Sequence, residues 1–175
     1  MDEDLKKAAC DGNVNFLRRA IAGPKPQDYW LSRFVPATQG REPCAGNLLH
    51  LAVWNSRKKF ITQALSLLPD DVVQQLLTQR ETAGELSNST PALLAIKKRR
   101  VGCAEVLTEG SRAELIKNLL DDDGNSPLFL AVKKGLPEVA LNLLRCQPPL
   151  SYRGPTGLTA LHILPELSLY SGEYL

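Results

Sequence analysis

The chain of 175 residues is 43% hydrophobic and 23% charged, with a formal net charge of +2 at pH 7. This composition predicts a soluble globular protein with one sizeable core and excludes a disordered polyelectrolyte. No apolar run reaches the roughly 20 residues of a transmembrane helix, and the N-terminus lacks the apolar core of a signal peptide. We therefore expect a cytoplasmic protein that does not insert into membranes, with the nucleus as the alternative location.

Four segments of the chain align with one another without gaps, and a fifth begins the same pattern. The segments start at residues 3, 47, 90 and 126, and the fifth starts at residue 159. The intervals of 44, 43, 36 and 33 residues indicate a unit near 33 residues with insertions in the early copies.

Each segment predicts two short helices joined by a turn. In the fourth segment Leu128, Ala131 and Val132 share one face of the first helix, and Val139 and Leu143 share one face of the second. This spacing is helical. A single unit of this kind cannot bury its own apolar face, so the units are expected to stack.

Residues that begin and end helices recur at fixed places in the segments. Thr90 and Ser126 each precede a proline, which predicts a hydroxyl N-cap followed by proline at the first helical position. Gly12 and Gly135 fall at the turn between the two helices, where glycine adopts a left-handed backbone at little cost. Extra short helices are predicted at 69–77 and from Ser111, where Ser111 to Glu114 has the pattern of a capping box.

Three aromatic residues, Tyr29, Trp30 and Phe34, lie close together in the proline-rich stretch 24–45. We expect them to pack this insertion onto the first two units. The alternative is a contact with a partner, since long loops in compact domains are often functional.

The helix openings Asn47-Leu-Leu-His-Leu-Ala52, Thr90-Pro-Ala-Leu-Leu-Ala95, Ser126-Pro-Leu-Phe-Leu-Ala131 and Thr159-Ala-Leu-His-Ile-Leu164 resemble the T-P-L-H-x-A signature of ankyrin repeats. The resemblance implies an all-α solenoid of helix-turn-helix units with short hairpin loops, forming one domain over 1–175. The expected repeats are about 3–23, 46–68, 88–110, 123–146 and a partial 154–175, with irregular insertions at about 24–45 and 69–87.

The same resemblance implies a structural role for two histidines. His50 and His162 both occupy the histidine position of the signature, where the side chain is expected to bridge backbone groups of adjacent hairpins. A narrower resemblance, carried by the stretch from Gly154 to His162, is to plant ankyrin proteins of the accelerated-cell-death type. It implies the cytosolic region of a larger membrane or immune-signalling protein.

No catalytic, cofactor-binding or metal-binding residues are expected. Cys10, Cys44, Cys103 and Cys146 lie far apart without zinc-site spacing, and we expect reduced thiols. With both histidines in structural positions, a nucleophilic dyad has no free base. Neither a glycine-rich phosphate loop nor a calcium-loop pattern is present in the sequence.

Basic residues recur at the ends of the first helices. Lys97 and Lys98 align with Lys133 and Lys134, and in the second unit with Trp54 and Asn55. The resemblance places these positions along the concave groove of the solenoid, with Arg57, Lys58 and Arg100 at its rim and Asp121 to Asp123 at the opposite, hairpin end. The expected partner-binding residues are Trp54, Asn55, Arg57, Lys97, Lys98, Arg100, Lys133 and Lys134.

This basic set favours an acidic protein or peptide that carries an apolar anchor. Nucleic acid binding through the same stripe is the rival, disfavoured because Trp54 is the one aromatic residue interleaved with it. A second alternative is that the lysines only keep the stack soluble while Trp54 packs against the insertion at 24–45. The partial fifth unit lacks a second helix, so we also expect its end to be covered by further repeats, by a second copy or by the folded-back tail.

Overall fold

The computed structural model describes residues 1–34, 45–80, 88–148 and 157–163. The predictions made for Cys44 and for the tail from residue 164 onward concern residues outside these ranges.

Helices α1 to α11 form in the described ranges, residues 160–163 are also helical, and the chain is the all-α repeat solenoid that the sequence predicts. The helices are α1 (Glu3–Asp11), α2 (Val14–Ala22), α3 (Gln27–Leu31), α4 (Leu48–Trp54), α5 (Lys58–Leu67), α6 (Asp70–Thr78), α7 (Pro91–Lys97), α8 (Val101–Thr108), α9 (Ser111–Ile116), α10 (Pro127–Lys133) and α11 (Pro137–Leu144).

The helices stack in three rows rather than the two that helix-turn-helix units imply. The first row is α1, α4, α7 and α10, and the second row is α2, α5, α8 and α11; each helix packs against the next member of its row. The third row is α3, α6 and α9, with α6 packed between the other two. The third row lies in the segments that follow the second helix of a unit, and it contributes to the long early intervals between repeats.

A column of small residues runs through the first row. Ala8, Ala52, Ala95 and Ala131 occupy equivalent places and are all buried. An alanine takes little space between two helices, so the neighbouring backbones approach closely. The larger residues beside this column, such as Leu93, fill the space that remains and complete one continuous core.

Two helices, α7 and α10, begin as the sequence predicts, and α9 does not. The Oγ1 of Thr90 accepts from the backbone N–H of Leu93 at 3.4 Å, and the Oγ of Ser126 accepts from that of Phe129 at 3.1 Å. The capping box predicted at Ser111 is wrong. Ser111 is already the first helical residue of α9, Gly110 is the N-cap, and no side chain caps this helix.

Two of the three aromatic residues in the first insertion belong to the core. Trp30 and Phe34 are buried, and the Tyr29 ring meets the Trp30 ring edge-on with centroids 5.0 Å apart. Phe34 also exchanges two backbone hydrogen bonds with Gly46, which fixes the middle of the insertion beside the start of the second unit. These contacts support the packing role for this cluster.

The turn between the first and second helix repeats with the same backbone geometry. Gly12, Ser56, Arg99 and Gly135 occupy the same place and all have left-handed φ angles, of 75°, 59°, 52° and 64°. In each unit the next N–H bonds a carbonyl five residues back, the 6→1 bond of a Schellman motif. These bonds join Asn13 to Ala8, Arg57 to Ala52, Arg100 to Ala95 and Leu136 to Ala131, at 2.8–2.9 Å.

We predict that Ser56→Gly and Arg99→Gly each raise the free energy of unfolding by about 0.5–1 kcal/mol, because glycine removes the steric cost of the left-handed backbone. Gly135→Ala is the matched opposite change. Nothing lies within 4 Å of the Cβ that it adds, so the expected loss of about 1 kcal/mol in the free energy of unfolding comes from the backbone conformation alone. Urea unfolding measures all three. Destabilisation by both glycine variants would contradict the assigned turn geometry.

A second prediction concerns two leucines on α11. Leu143 is 0% exposed and Leu141 is 47% exposed. Leu143→Ala should lower the free energy of unfolding by about 2–5 kcal/mol because it leaves a cavity, whereas Leu141→Ala should change it by about 0.5 kcal/mol or less. Thermal and urea unfolding of the pair provide the measurement, and equal losses would contradict the packing of α11.

Candidate functional site

Trp54 and Lys98 form the centre of an exposed surface at the ends of the first-row helices. Trp54 is the last residue of α4 and is half-buried, and Lys98 is the first residue after α7 and is exposed. The Lys98 ammonium lies 4.3 Å from the centre of the Trp54 ring. A cation–π contact at an exposed position contributes about 0.5–1 kcal/mol, enough to orient the lysine across the indole face.

Two arginines make the same contact in successive units. Arg57 donates from Nε to the carbonyl oxygen of Cys10 at 2.7 Å, and Arg100 donates from Nη2 to the carbonyl oxygen of Trp54 at 3.4 Å. Both carbonyls lie at the C-terminal end of a first-row helix, where carbonyl groups lack helical partners and positive charge is favoured. Each guanidinium is thus held against the neighbouring unit while its side chain remains exposed.

Lys97 lies inside the structure rather than beside Lys98. Its ammonium pairs with a carboxylate oxygen of Asp121 at 3.1 Å and donates to the Ser89 Oγ at 3.2 Å; its side chain is 17% exposed and that of Asp121 is 0% exposed. The expectation that Asp121 lies at the end of the molecule opposite the lysines is therefore wrong. The first helix of the third unit reaches the hairpin of the fourth through this pair.

The Asp121 carboxylate is fully engaged at the hairpin. Burial by itself would raise the pKa of Asp121, but hydrogen bonds from the Asn125 side chain and backbone, together with Lys97, hold that pKa below its usual value. The backbone N–H of Asn125 donates to Oδ1 at 2.8 Å, and the Asn125 side-chain amide donates to both carboxylate oxygens at 3.1 Å. Asp121 thus stays ionised and keeps Lys97 in place.

The other predicted surface residues have mixed environments. Lys133 is exposed, with its ammonium 5.8 Å from the centre of the buried Phe129 ring, and Lys134 is half-exposed after the end of α10. The Asn55 side chain donates to the carbonyl of Leu51 at 2.9 Å, which makes it part of the end of α4. Lys58 pairs with Glu105 at 3.3 Å.

His50 is completely buried between two units. Its Nε2 lies 2.9 Å from the carbonyl oxygen of Ser89 in the next unit, and its Nδ1 lies 3.3 Å from the backbone nitrogen of Asn47. A neutral ring with the proton on Nε2 satisfies both bonds. Gly46 leaves room for the ring, because a Cβ there would lie 2.6 Å from the His50 Cγ.

His162 has a different environment from His50. It is exposed, and within the described part of the chain its ring bonds only Thr159, from which Nδ1 lies 3.3 Å to the backbone nitrogen and 2.7 Å to Oγ1. Its bridging role stays a prediction, since the chain that follows residue 163 is outside the described ranges.

We predict that His50 makes the protein less stable in mild acid. Burial lowers the pKa of His50 to about 4, from an ordinary 6.5. Between these values the unfolded chain binds a proton that the folded chain rejects. Stability therefore falls as the pH drops from about 6.5 to about 4, by about 3 kcal/mol from this residue.

The measurement is urea unfolding across this pH range. His50→Leu should lower stability at pH 7 but flatten the pH dependence; the third unit already carries Leu93 at the equivalent position. His162→Leu, on an exposed residue, is the control and should keep the wild-type pH dependence. An unchanged slope in His50→Leu would contradict the assignment.

Comparison with known proteins gives the class of this molecule. A family model described as ankyrin repeats, in three copies, matches residues 49–151, which is more than half of the chain. The chain belongs to the ankyrin-repeat proteins, whose repeats generally act as non-catalytic modules for protein–protein interaction.

One curated protein gives a more particular likeness. The chain is 29% identical over 163 residues, 91% of its length, to the nuclear factor NF-kappa-B p105 subunit of Gallus gallus. It spans 15% of the length of that protein. In the described ranges, no helix is long and apolar enough to cross a membrane.

Sequence reasoning did not find the repeated arginine contact or the burial of Lys97. The alignment of the units contained a signal for the first, since it puts Arg57 and Arg100 in the same column. The second had no signal, because Lys97 and Lys98 are adjacent in sequence and only the packing of the hairpin decides which of them is enclosed.

Proposed function

We propose that this chain is a non-catalytic module that binds a partner protein or peptide through the basic strip, which we define as Trp54, Arg57, Lys98, Arg100, Lys133 and Lys134. The observation that carries the proposal is the cluster of Trp54, Lys98 and Arg100. An aromatic ring, an ammonium and a guanidinium from two units meet there on an exposed surface. Asn55 and Lys97, the other two predicted contact residues, act beneath the strip by capping α4 and pairing with Asp121.

The charge of the strip favours an acidic partner. Residues 54–59, 97–102 and 133–136 contain several lysines and arginines and no Asp or Glu. Among the described residues, Glu105 neutralises Lys58 at the edge of this region. Within the described ranges no carboxylate forms an ion pair with a residue of the strip, so its positive charge steers the association of an acidic partner, while Trp54 supplies the large rigid side chain that slows dissociation.

The place and context of this binding are proposals as well. We propose that the module works in the cytoplasm, or in the nucleus, as part of a signalling scaffold; the likeness to a protein named a nuclear factor subunit supports a regulatory setting. The likeness to plant ankyrin proteins stays a prediction, and so does an origin in a larger membrane or immune-signalling protein. None of the described contacts depends on either of them.

The test compares two charge-reversed proteins in quantitative affinity capture from source cells. The strip variant carries Lys98→Glu, Arg100→Glu and Lys133→Glu; Lys97 is left intact because of its structural ion pair. The matched control carries Arg19→Glu, Lys25→Glu and Arg145→Glu, which reverse the same number of exposed charges elsewhere. The strip variant should lose the captured partner by at least about 10-fold, and the control should retain it.

Kinetics on the captured partner sharpen the result. Lys98→Ala should mainly slow association, and Trp54→Ala should mainly speed dissociation. Full capture by the strip variant would move the binding surface elsewhere. Capture that disappears after nuclease treatment and falls steeply with salt would instead identify a nucleic acid partner.

A further inference from the structure

The two strip arginines form a ladder of two rungs, one in the second unit and one in the third. Arg57 and Arg100 occupy the same place in successive repeats and donate to equivalent carbonyls, those of Cys10 and Trp54. The contact uses part of each guanidinium and leaves other N–H groups of the fork for a ligand. Within the described ranges, neither arginine pairs with a carboxylate.

The spacing of the ladder follows from the packing of the first row. Each arginine is tied to the end of the preceding first-row helix, and α1, α4 and α7 pack side by side. Helices in contact lie about 8–10 Å apart, so the two guanidinium groups recur at about that interval. Lys134, at the place of Lys98 in the next unit, continues the positive charge into the fourth unit.

Only some peptide conformations place carboxylates at this interval on one side. A polyproline II segment has three residues per turn and rises about 3.1 Å per residue, so every third side chain points the same way at about 9 Å. Same-side residues of a β-strand are about 6.7 Å apart, which is too short. An α-helix needs acids seven residues apart, at about 10.5 Å, and helix docking also needs a run of apolar anchors in the groove.

The apolar surface of the strip is small. Trp54 is its one large apolar side chain; it precedes Arg57 by three residues, its carbonyl accepts from Arg100, and the Lys98 ammonium lies over its ring. One residue of a ligand can pack on the indole between two acids. A chain with acids at regular intervals also repels itself and stays extended. Both facts favour an extended ligand over a helix.

We propose that the basic strip recognises an extended acidic segment in the polyproline II conformation, with a carboxylate at every third residue and an apolar residue between the first two acids. The first two carboxylates bind the free N–H groups of Arg57 and Arg100. The third lies near Lys134, and the apolar residue covers Trp54. This inference rests on the proposed function and adds the spacing and conformation of the ligand.

The experiment measures binding of synthetic peptides of equal length and net charge by fluorescence anisotropy in physiological salt, and the first three peptides also have the same composition. The first peptide has three glutamates at every third position, with prolines and one leucine between them. The second has the glutamates adjacent, and the third has them at every second position. A fourth peptide, of the same net charge but a helix-forming composition, carries acids seven residues apart.

We expect the first peptide to bind at least about 10-fold more tightly than the second and third. Arg57→Gln and Arg100→Gln should each reduce this preference to near unity, and Lys59→Gln, on an exposed neighbouring lysine, should keep it. Circular dichroism and unfolding curves check that the variants fold. If a glutamine variant is unfolded, Arg57→Lys or Arg100→Lys takes its place; it keeps the charge but lacks the planar fork, and should reduce the preference in part.

Equal affinity for the first three peptides would overturn the proposal, because it would mean attraction by total charge. Tighter binding of the helical peptide would overturn it in favour of helix docking. Either result would leave the strip as the partner surface if the strip variant still loses its captured partner. Full capture of the partner by the strip variant would contradict the proposed function itself.

Discussion

Close packing of the first-row helices is the constraint on which the rest of this structure depends. The alanines at equivalent places, from Ala8 to Ala131, are buried between neighbouring helices and allow the close approach. That approach brings the end of each helix beside the turn of the next unit. Arg57 and Arg100 can reach the carbonyls of the preceding unit for this reason, and Lys98 can lie over Trp54. The candidate binding surface is therefore a product of the stacking itself.

The polar contacts that join successive units are chemically different, although the units repeat the same backbone. Between the second and third units, His50 reaches the carbonyl of Ser89. The third unit has Leu93 at the histidine position, and there the polar tie is the ion pair between Lys97 and Asp121. Because a buried charge needs a partner, the Asp121 carboxylate holds the Lys97 ammonium, and Lys97 is not one of the exposed lysines. The histidine position alone does not decide which lysines are enclosed, because the fourth unit has Phe129 there and its Lys133 is exposed.

The third row of helices adds length to the early repeats without disrupting the stack. Helices α3, α6 and α9 add a layer that contacts the other rows at several points. Residues such as Trp30, Val72 and Ile116 bury their side chains in it. The insertions thus extend the core, while the turn edge that carries the basic strip keeps the same backbone in every unit.

The sequence by itself determined the repeat, the all-α class, the helix starts at Thr90 and Ser126 and the turn position, because each depends on short-range patterns that recur at a fixed interval. It also identified most of the exposed basic residues, since helix ends are readable from the alignment. It did not determine that Ser56 and Arg99 adopt the glycine conformation, because stacking imposes that turn whatever residue is present. Nor did it separate Lys97 from Lys98. That choice was made by the tertiary structure, which brings Asp121, far along the chain, within 3.1 Å of one ammonium and leaves the adjacent one over an indole ring.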